Sequence, residues 1–442
     1  MTTTTSPAQP PRAMSAMKTF FVSGLGTTLE FYDFSIFGLA AALVFPAVFF
    51  PDLDPLVGTL VAFTTFGTGF IARPLGGIVL GHFGDRVGRR PVLVLTLVLM
   101  GISTFLIGCL PTHAAIGGWA ALLIVVLRLV QGFAAGGEWG GAVLVGMEGA
   151  PAGRRGLWGS FTSMGIGLGT VLGIAAFTLA SLLERDAFLG WGWRVPFLIG
   201  GVLVIIGLVA RLRLPAEEND ASERPTRLPV MEVLRERPRQ LLCSIGVAYG
   251  YNAMAYLVSV FFLSYVVQVG YDETTSLVIQ LVSATVLFVC AVLFGRLSDR
   301  VGRRPVIATG AFASIVFILL FFPLAGTGQL AIVMALFVAN GIMAGATQGP
   351  LPALLGEQFP KRMRFTGISL SYQVGAALGG GTAASVASGL LVVFGGNPTG
   401  VAVYCIFTCL VLGVCTLLLR EGAHRSVEQL EDTAAPREAQ PA

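Results

Sequence analysis

Residues 81–90 read Gly81-His82-Phe83-Gly84-Asp85-Arg86-Val87-Gly88-Arg89-Arg90, and the pattern returns 214 residues later as Gly295-Arg296-Leu297-Ser298-Asp299-Arg300-Val301-Gly302-Arg303-Arg304. Each copy lies between two long apolar runs, and the distance between the copies is about half of the 442-residue chain. A pattern repeated at that distance indicates a duplicated chain, and internal duplication is typical of membrane carriers.

The composition places the chain in a lipid bilayer. It is 55% hydrophobic and only 12% charged, with a mean hydropathy of +0.80, so it has too few charges to cover a soluble surface of its size. Each apolar run is long enough to cross about 30 Å of hydrocarbon, which takes ~20 helical residues. We expect twelve spans, at 18–46, 57–83, 91–110, 118–149, 157–183, 193–214, 240–268, 275–297, 304–324, 329–356, 366–394 and 398–420.

Twelve spans and one repeat predict an all-α membrane protein, in which two six-helix bundles are related by a pseudo-two-fold axis. The expected divisions are a disordered N-terminus at 1–16, a first bundle at 17–210, a linker at 211–239, a second bundle at 240–420 and a tail at 421–442. An even number of spans puts both termini on the same side of the membrane.

The basic residues predict which side this is. Arginines and lysines gather in the connections on the side of the termini, whereas the opposite connections carry few, with Arg185 the clear exception. The positive-inside rule therefore predicts cytoplasmic termini in a multi-pass protein of the cell membrane. This topology accounts for the formal net charge of +4 without a nucleic-acid partner.

The repeated loop has the composition of a gate between the bundles. Glycine permits a tight reversal, aspartate can accept hydrogen bonds at a helix end, and arginine can pair with acids or helix C-termini across an interface. The alternative is that the arginines only obey the topology rule. The expected gating residues are Gly81, Asp85, Arg86, Gly88, Arg89 and Arg90 in the first copy and Gly295, Asp299, Arg300, Gly302, Arg303 and Arg304 in the second.

Five ionisable side chains fall well inside the predicted spans, namely Glu30, Asp33, Arg73, Arg128 and Glu138. A charge at the centre of a membrane helix costs about 2.5–3.5 kcal/mol on insertion scales, so their presence indicates a function. Burial disfavours a charged carboxylate and a nearby arginine favours it, so such a pair can take up and release a proton. We expect Asp33 to be the leading proton carrier, with Glu138 or Glu30 as its partner. The alternative is a static ion-pair network.

Arginine can hold a carboxylate with two hydrogen bonds, so Arg128 and Arg73 are the expected ligands of an anionic substrate. The second half supplies neutral polar side chains instead, which would shape the site. The further expected substrate ligands are Tyr32, Gln131, Trp139, Tyr251, Asn252, Gln348, Tyr372 and Gln373. The three histidines lie at span ends or in the tail, so a histidine proton relay at the membrane midplane is not expected. The cysteines have no CxxC spacing, and neither a metal nor a cofactor is expected.

The repeated Gly-x-x-x-Asp-Arg-x-Gly-Arg-Arg loop resembles the signature of the major facilitator superfamily. Further segments are similar to its metabolite:proton symporter branch, which includes shikimate, 2-oxoglutarate, citrate and proline/betaine carriers. The sequence of the segment Gly136-Gly137-Glu138-Trp139-Gly140-Gly141 looks closest to that of the shikimate-type members. Other segments that carry the resemblance are Leu29-Glu30-Phe31-Tyr32-Asp33-Phe34, Ala72-Arg73-Pro74-Leu75-Gly76-Gly77, Arg128-Leu129-Val130-Gln131-Gly132 and Glu357-Gln358-Phe359-Pro360.

The resemblance and the buried charges together predict a secondary transporter, not an enzyme. We expect it to import a small organic anion such as shikimate with protons by alternating access, as a monomer surrounded by lipid. Proton-coupled uptake of an osmolyte such as proline or betaine and proton-driven efflux are the alternatives. The tail has no heptads, unlike the osmosensing carriers, and the fifth span has no Gly-Pro motif, unlike many exporters.

Overall fold

A computed structural model describes residues 16–87, 89–136, 138–148, 150–151, 153–212 and 229–424, and the side chains of 81–90 lie outside this description. The predictions for the N-terminus, for residues 213–228 of the linker, for the tail beyond 424 and for Gly88 therefore also fall outside the described residues.

Twelve long helical segments follow one another along the described chain, and they coincide with the predicted spans. Ten of the described helices are long and apolar enough to cross a membrane, and Val94–Cys109 is a shorter apolar helix. The segments are α1 Ala16–Leu43, α2 Pro55–Val87, α3 Arg89–Cys109, α4 Trp119–Ala135 with Trp139–Glu148, α5 Arg155–Ala180, α6 Arg194–Leu212, α7 Pro238–Tyr256 with Leu257–Phe262 and Leu263–Gln268, α8 Glu273–Val301, α9 Arg303–Ala325, α10 Leu330–Gln348 with Leu351–Gly356, α11 Lys361–Leu378 with Ala383–Val393, and α12 Thr399–Leu418.

Four of these segments are interrupted, and the sequence explains three of the interruptions. Glycine favours a break because it has no side chain to restrict the backbone, and a proline inside a helix removes a hydrogen bond. α4 breaks at Gly136, α10 at Gly349-Pro350 and α11 after Leu378, where three glycines follow. In α7 the stretch Leu257–Phe262 is π-helical instead, a form that is rare and often lies at functional sites.

Glycines also let the helices of the first bundle approach closely. A Cβ atom added to Gly132 on α4 would lie 1.8 Å from the carbonyl oxygen of Gly69 on α2. One added to Gly165 on α5 would lie 2.5 Å from the carbonyl oxygen of Gly24 on α1. Only glycine fits at such crossings. Lipid provides no hydrophobic driving force for helix association, so membrane helices depend on close van der Waals packing at small residues. These crossings hold α1 and α2, which carry three of the buried charges, at fixed distances from α4 and α5.

The predicted linker is partly helical. A short helix at Pro229–Glu236 lies within the range 211–239, and α7 begins directly after it, at Pro238. Arg362 at the start of α11 forms ion pairs with Glu232 and Glu236 of this linker helix. The helix is therefore attached to the second bundle by charge pairs on its polar face.

Candidate transport site

The first buried ion pair joins α1 to α2. Arg73 Nη2 lies 2.8 Å from Glu30 Oε1, and both side chains are almost completely buried. Removing one member of such a pair is strongly destabilising, because the remaining charge is left in a medium of low dielectric constant. Glu30 and Arg73 therefore behave as one unit.

The second buried charge pair is looser and joins α1 to α4. Arg128 Nη1 lies 3.7 Å from Asp33 Oδ2, too far for a direct hydrogen bond. Gln131 donates to Asp33 Oδ1 at 3.0 Å, and the Thr104 hydroxyl of α3 donates to the same oxygen. Arg128 Nη1 in turn donates to Gln131 Oε1 at 3.2 Å. Asp33 thus accepts hydrogen bonds from two neutral donors and lies near the guanidinium of Arg128 without a direct hydrogen bond to it.

One aromatic ring contacts the arginines of both charge pairs. The guanidinium carbons of Arg73 and Arg128 each lie 4.0 Å from the centroid of Phe34. Phe70 also lies under Arg73, and Phe37 lies under Arg128. A cation over an aromatic face is attracted by the ring quadrupole, more strongly where water is excluded. The aromatic residues of α1 and α2 therefore help to stabilise both arginines in a buried position.

A cavity of about 110 Å³ is lined by residues of both halves, Phe34 among them. Among the described residues that line it, none carries a formal charge. Aromatic side chains form part of its wall, including Phe31, Phe34, Tyr251 and Tyr256. Its polar lining consists of amides and hydroxyls, namely Ser35, Thr170, Asn252, Ser259, Gln280, Ser283, Ser314, Asn340, Thr347 and Gln348.

The structure brings three of the expected substrate ligands to this cavity, Tyr251, Asn252 and Gln348. Arg73 and Arg128 pack on the ring of Phe34 and do not line the cavity in this conformation. Gln131, expected to bind substrate, belongs instead to the hydrogen bonds around Asp33. These residues surround a common region, but only the neutral ones reach the space where a ligand fits.

Tyr32 also faces away from the cavity. Its hydroxyl donates to the carbonyl oxygen of Pro196 on α6 at 2.7 Å, and its ring packs beside Gly200. In this conformation Tyr32 therefore fixes α1 against α6 and has no hydroxyl hydrogen to offer a ligand.

Three other expected ligands form a contact between the halves. The rings of Trp139 on α4 and Tyr372 on α11 are stacked, with centroids 3.5 Å apart and planes within 12° of parallel. Gln373 donates to the carbonyl oxygen of Gly136 at 2.8 Å, at the break in α4. Glu138 is buried at the same break. These side chains close the interface beside the cavity and do not line it.

Several cavity residues were not among the expected ligands. Gln280 and Ser283 are one helical turn apart on α8, and Asn340 and Thr347 are two turns apart on α10. Polar side chains at such spacings share a helix face. The helical spacing of these neutral polar residues in the second half was therefore a sequence signal for the cavity, separate from the ionisable residues of the first half.

The second copy of the repeated loop holds the halves together at the end of the molecule that contains residues 420–423, which we call the terminal end. Asp299 accepts hydrogen bonds from the backbone N–H groups of Gly156 and Leu157 at 2.8 and 2.9 Å, in the first turn of α5. The free N–H groups of a helix N-terminus favour a negative charge. Asp299 of the second half thus caps a helix of the first.

Arg303 extends this contact into a buried charge network. Its guanidinium lies 2.8 Å from Asp299 Oδ1 and 3.3 Å from Glu357 Oε1, and Arg155 of the first half lies 3.6 Å from the same Glu357 oxygen. Burial raises the pKa of Glu357, and the two arginines act in the opposite direction. Among the other expected gating residues, Gly302 takes φ +108°, which permits the turn between α8 and α9, Gly295 packs against Ser160, and Arg300 is exposed.

The start of the predicted tail closes the same network. Glu421 accepts from the backbone N–H groups of Arg303 and Arg304 at 3.0 and 2.9 Å, at the start of α9. Gln358 and Arg420 exchange two hydrogen bonds between the amide side chain and the backbone. Residues 420–423 are therefore part of the packed structure at the terminal end.

The halves also touch at the opposite end. The hydroxyls of Ser181, directly after α5, and of Thr274 on α8 lie 3.0 Å apart, and Arg185 forms an ion pair with Glu273. Nearer the centre, a Cβ atom added to Gly67 would lie 2.1 Å from the carbonyl oxygen of Gly381. The cavity thus lies between contacts of the two halves at both ends of the molecule.

Comparison with known families identifies this architecture. The sequence profile of the Major Facilitator Superfamily matches residues 24–370 and 273–441. The chain belongs to the Major Facilitator Superfamily. This membership confirms the all-α membrane fold of two six-helix halves, and it places the chain among multi-pass transporters of small molecules rather than among enzymes.

Three curated members of the superfamily are similar over most of this chain. The Shikimate transporter of Escherichia coli K12 is 37% identical over 408 residues, 90% of this chain and 92% of that protein. The Inner membrane metabolite transport protein YhjE of the same organism is 37% identical over 424 residues, covering 93% and 96%. The Proline/betaine transporter of that organism is 32% identical over 427 residues, covering 93% and 85%.

A solved structure of the superfamily shares the fold. The crystal structure of the D-xylose-proton symporter superposes with a TM-score of 0.69 at 18% identity, over 91% of this chain and 97% of that one. The resemblance to the metabolite:proton symporter branch agrees with these relatives.

Proposed function

We propose that this member of the superfamily carries a small organic anion such as shikimate into the cell together with a proton, and that Asp33 and Arg128 couple the two movements. The proposal rests on the loose contact between them. Their charged atoms are 3.7 Å apart, and Asp33 is held instead by Gln131 and Thr104. Both of those donors can also hold a protonated carboxyl group, so the proton can bind without loss of the local structure.

Protonation of Asp33 would leave Arg128 without its counter-charge. Arg128 Nη2 is buried and has no hydrogen-bond partner among the described residues. A buried cation in that state is costly, so it favours the approach of another anion. The carboxylate of a substrate supplies this charge, and the proton and anion together add no net charge to the site. Binding of the proton to Asp33 and binding of the anion to Arg128 are then coupled, because each restores the charge balance that the other disturbs.

Phe34 controls whether the anion can reach that charge. It lines the cavity, and the guanidinium groups of Arg73 and Arg128 pack on its ring. A rotation of this side chain would open the arginines to the cavity, which is how Arg73 and Arg128 could bind substrate although they do not line the cavity here. The ring thus acts as a partition between the proton site and the ligand site.

Uptake by the purified protein in lipid vesicles tests the proposal. Radiolabelled shikimate should accumulate inside vesicles whose exterior is more acidic, and a protonophore should abolish the accumulation. Equal uptake with and without the pH gradient would contradict proton coupling. Net movement of substrate against the proton flow would indicate efflux, the first alternative.

Uptake of an osmolyte is the second candidate, favoured by the aromatic wall of the cavity. Phe31, Phe34, Tyr251 and Tyr256 all line it, and aromatic faces bind quaternary ammonium groups. One of the relatives is named a Proline/betaine transporter. Betaine accumulation under the same gradient, with no shikimate accumulation, would support this candidate over the first.

We propose in addition that the terminal end faces the cytoplasm, that the protein works as a monomer and that it needs no cofactor. The cluster of basic residues at that end supports the orientation. Protease treatment of intact and of broken cells that carry a tag on the C-terminal tail tests it, because a cytoplasmic tag is cleaved only after the cells are broken.

A further inference from the structure

The break in α4 lies between two parts of the helix that make different contacts. Before the break, Trp119–Ala135 carries Arg128 and Gln131 of the proton site. After it, Trp139–Glu148 carries a contact to the second half of the molecule. Gly136 lies at the break itself and is buried. A displacement of one part of α4 relative to the other would therefore occur at Gly136.

The part of α4 before the break is packed tightly on α2. A Cβ atom added to Gly132 would overlap the carbonyl oxygen of Gly69, and one added to Gly136 would overlap that of Arg73. Backbones that approach so closely hold the two helices in one register. The first part of α4 and α2 therefore form one packed unit. This unit carries Arg73 and Arg128, the partners of the two acids on α1.

The part of α4 after the break packs on one face of α11. The ring of Trp139 is stacked on that of Tyr372, and a Cβ atom added to Gly140 would overlap the side chain of Ser369. Tyr372 and Gln373 follow Ser369 by three and four residues, a spacing that places all three on the same face of the helix. This face of the second half therefore lies directly against the break.

Gln373 binds the break itself. Its side-chain N–H donates to the carbonyl oxygen of Gly136 at 2.8 Å. The last carbonyl groups of a helix have no partner within that helix, and here the partner comes from the other half. In a continuous α-helix the same carbonyl would accept from the backbone N–H of Gly140. The carbonyl thus has two alternative donors, one that is compatible with the break and one that requires a straight helix.

Two alternative donors give α4 two discrete shapes, and the position of α11 selects between them. With α11 in contact, as observed, α4 is interrupted and Arg128 lies 3.7 Å from Asp33. When α11 moves away, the Gly136 carbonyl loses Gln373. A buried carbonyl without a donor is costly, so the bond within the helix is then favoured. Straightening of α4 would move Arg128, and α2 with it, relative to α1.

We propose that Gln373 is a positioning residue that links the movement of the two halves to the proton site. It acts through the break in α4 and needs no contact with the substrate or the proton. This inference rests on the proposed function. It adds the route by which the second half acts on Asp33 and Arg128, because the partners described above for these two side chains all belong to the first half.

Gln373→Met tests this link, because methionine has a similar length and shape but no hydrogen-bond donor. With the vesicle exterior more acidic by one pH unit, one proton per substrate supports about tenfold accumulation of shikimate. We expect the variant to accumulate shikimate less than about threefold. Exchange of labelled for unlabelled shikimate should stay within about threefold of the rate of the unaltered protein. Full accumulation by Gln373→Met would overturn the inference.

A second variant and a second outcome keep the test sharp. Gln373→Asn retains the amide on a side chain one methylene shorter, so its N–H no longer reaches Gly136, and accumulation should fall as in Gln373→Met. Full accumulation by Gln373→Asn would contradict the proposed role. If a variant with an unchanged thermal melt lost exchange together with accumulation, Gln373 would be needed for transport itself, and the inference would also be wrong.

Thr274→Val is the matched control. It removes another hydrogen bond between the halves, from the Thr274 hydroxyl to the carbonyl oxygen of Ser181 at 3.1 Å, at the end of the molecule opposite the terminal end. Accumulation should persist in this variant. If it fell as far as in Gln373→Met, any contact between the halves would have the same effect, and the specific role of Gln373 would be refuted.

Failure of this inference differs from failure of the proposed function. If the unaltered protein accumulates no shikimate under the pH gradient, the proposed function is wrong, and the inference that rests on it falls as well. If the unaltered protein and Gln373→Met accumulate shikimate equally, proton-coupled transport stands and only the role of Gln373 is wrong.

Discussion

Asp33→Asn is the substitution that probes the coupling between proton and substrate. The amide has the shape of the carboxyl group and its oxygen can still accept from Gln131 and Thr104, but it cannot take up a proton or balance Arg128. At the observed 3.7 Å and an effective dielectric constant of about 20, the lost attraction is about 4.5 kcal/mol. We therefore expect a folded but less stable carrier in which substrate movement no longer depends on protons.

The assay compares two kinds of flux in lipid vesicles. With one proton per substrate, each unit of pH difference can support about tenfold accumulation, since one pH unit corresponds to about 1.36 kcal/mol. Asp33→Asn should accumulate substrate to no more than equal concentrations on both sides, while exchange of labelled for unlabelled substrate persists. Thr104→Val is the matched control, because it removes a donor to Asp33 but keeps the titratable group, and coupling should survive. Full accumulation by Asp33→Asn would refute the assignment.

Three further substitutions test other parts of the structure. Phe34→Ala removes the ring between the arginines and the cavity, so we expect a proton leak across substrate-free vesicles, detected with an internal pH dye, and a tight membrane in this variant would contradict the role of the ring. Glu30→Gln leaves Arg73 unpaired and should lower the free energy of unfolding by about 3–5 kcal/mol, which the double variant Glu30→Gln with Arg73→Gln should largely restore in thermal melts. Asp299→Ala removes two charge-assisted hydrogen bonds at the terminal end, each worth about 1.5–3 kcal/mol, and should speed alkylation of a cysteine introduced at Ser160, whereas an unchanged rate would show that the bonds do not hold the gate.

The sequence predicts the helices of this protein well, because the bilayer imposes a strong constraint. Each span must form all of its backbone hydrogen bonds within itself in hydrocarbon, so a run of about 20 apolar residues that crosses the membrane forms an α-helix. The breaks in α4 and α11 follow from glycine runs that are visible in the sequence. The π-helical stretch at Leu257–Phe262 has no comparable signal, because its residues are ordinary apolar ones.

The candidate site was only partly predictable, for a physical reason. The cost of burying a charge makes Glu30, Asp33, Arg73 and Arg128 conspicuous in an apolar sequence. Whether such a charge faces a ligand or another charge depends on packing, and both arginines pack on the ring of Phe34 and do not line the cavity. No composition rule predicts that arrangement.

The neutral ligands were hard to recognise because amides and hydroxyls cost less to bury than charges. Asn252 and Gln348 were expected at the site, whereas Gln280 was not, although all three line the same cavity. The direction in which each amide points depends on a backbone partner that only the folded structure reveals. For Gln348 that partner, Ser163, is 185 residues away.

The central claim is that binding of the anion and binding of a proton are one linked event at Asp33 and Arg128. Its most direct test is the number of protons taken up when shikimate binds to the purified carrier in weakly buffered solution, read from a pH indicator. The account predicts close to one proton per bound shikimate, and close to none for Asp33→Asn. Shikimate binding without proton uptake, or an undiminished uptake by the variant, would contradict it.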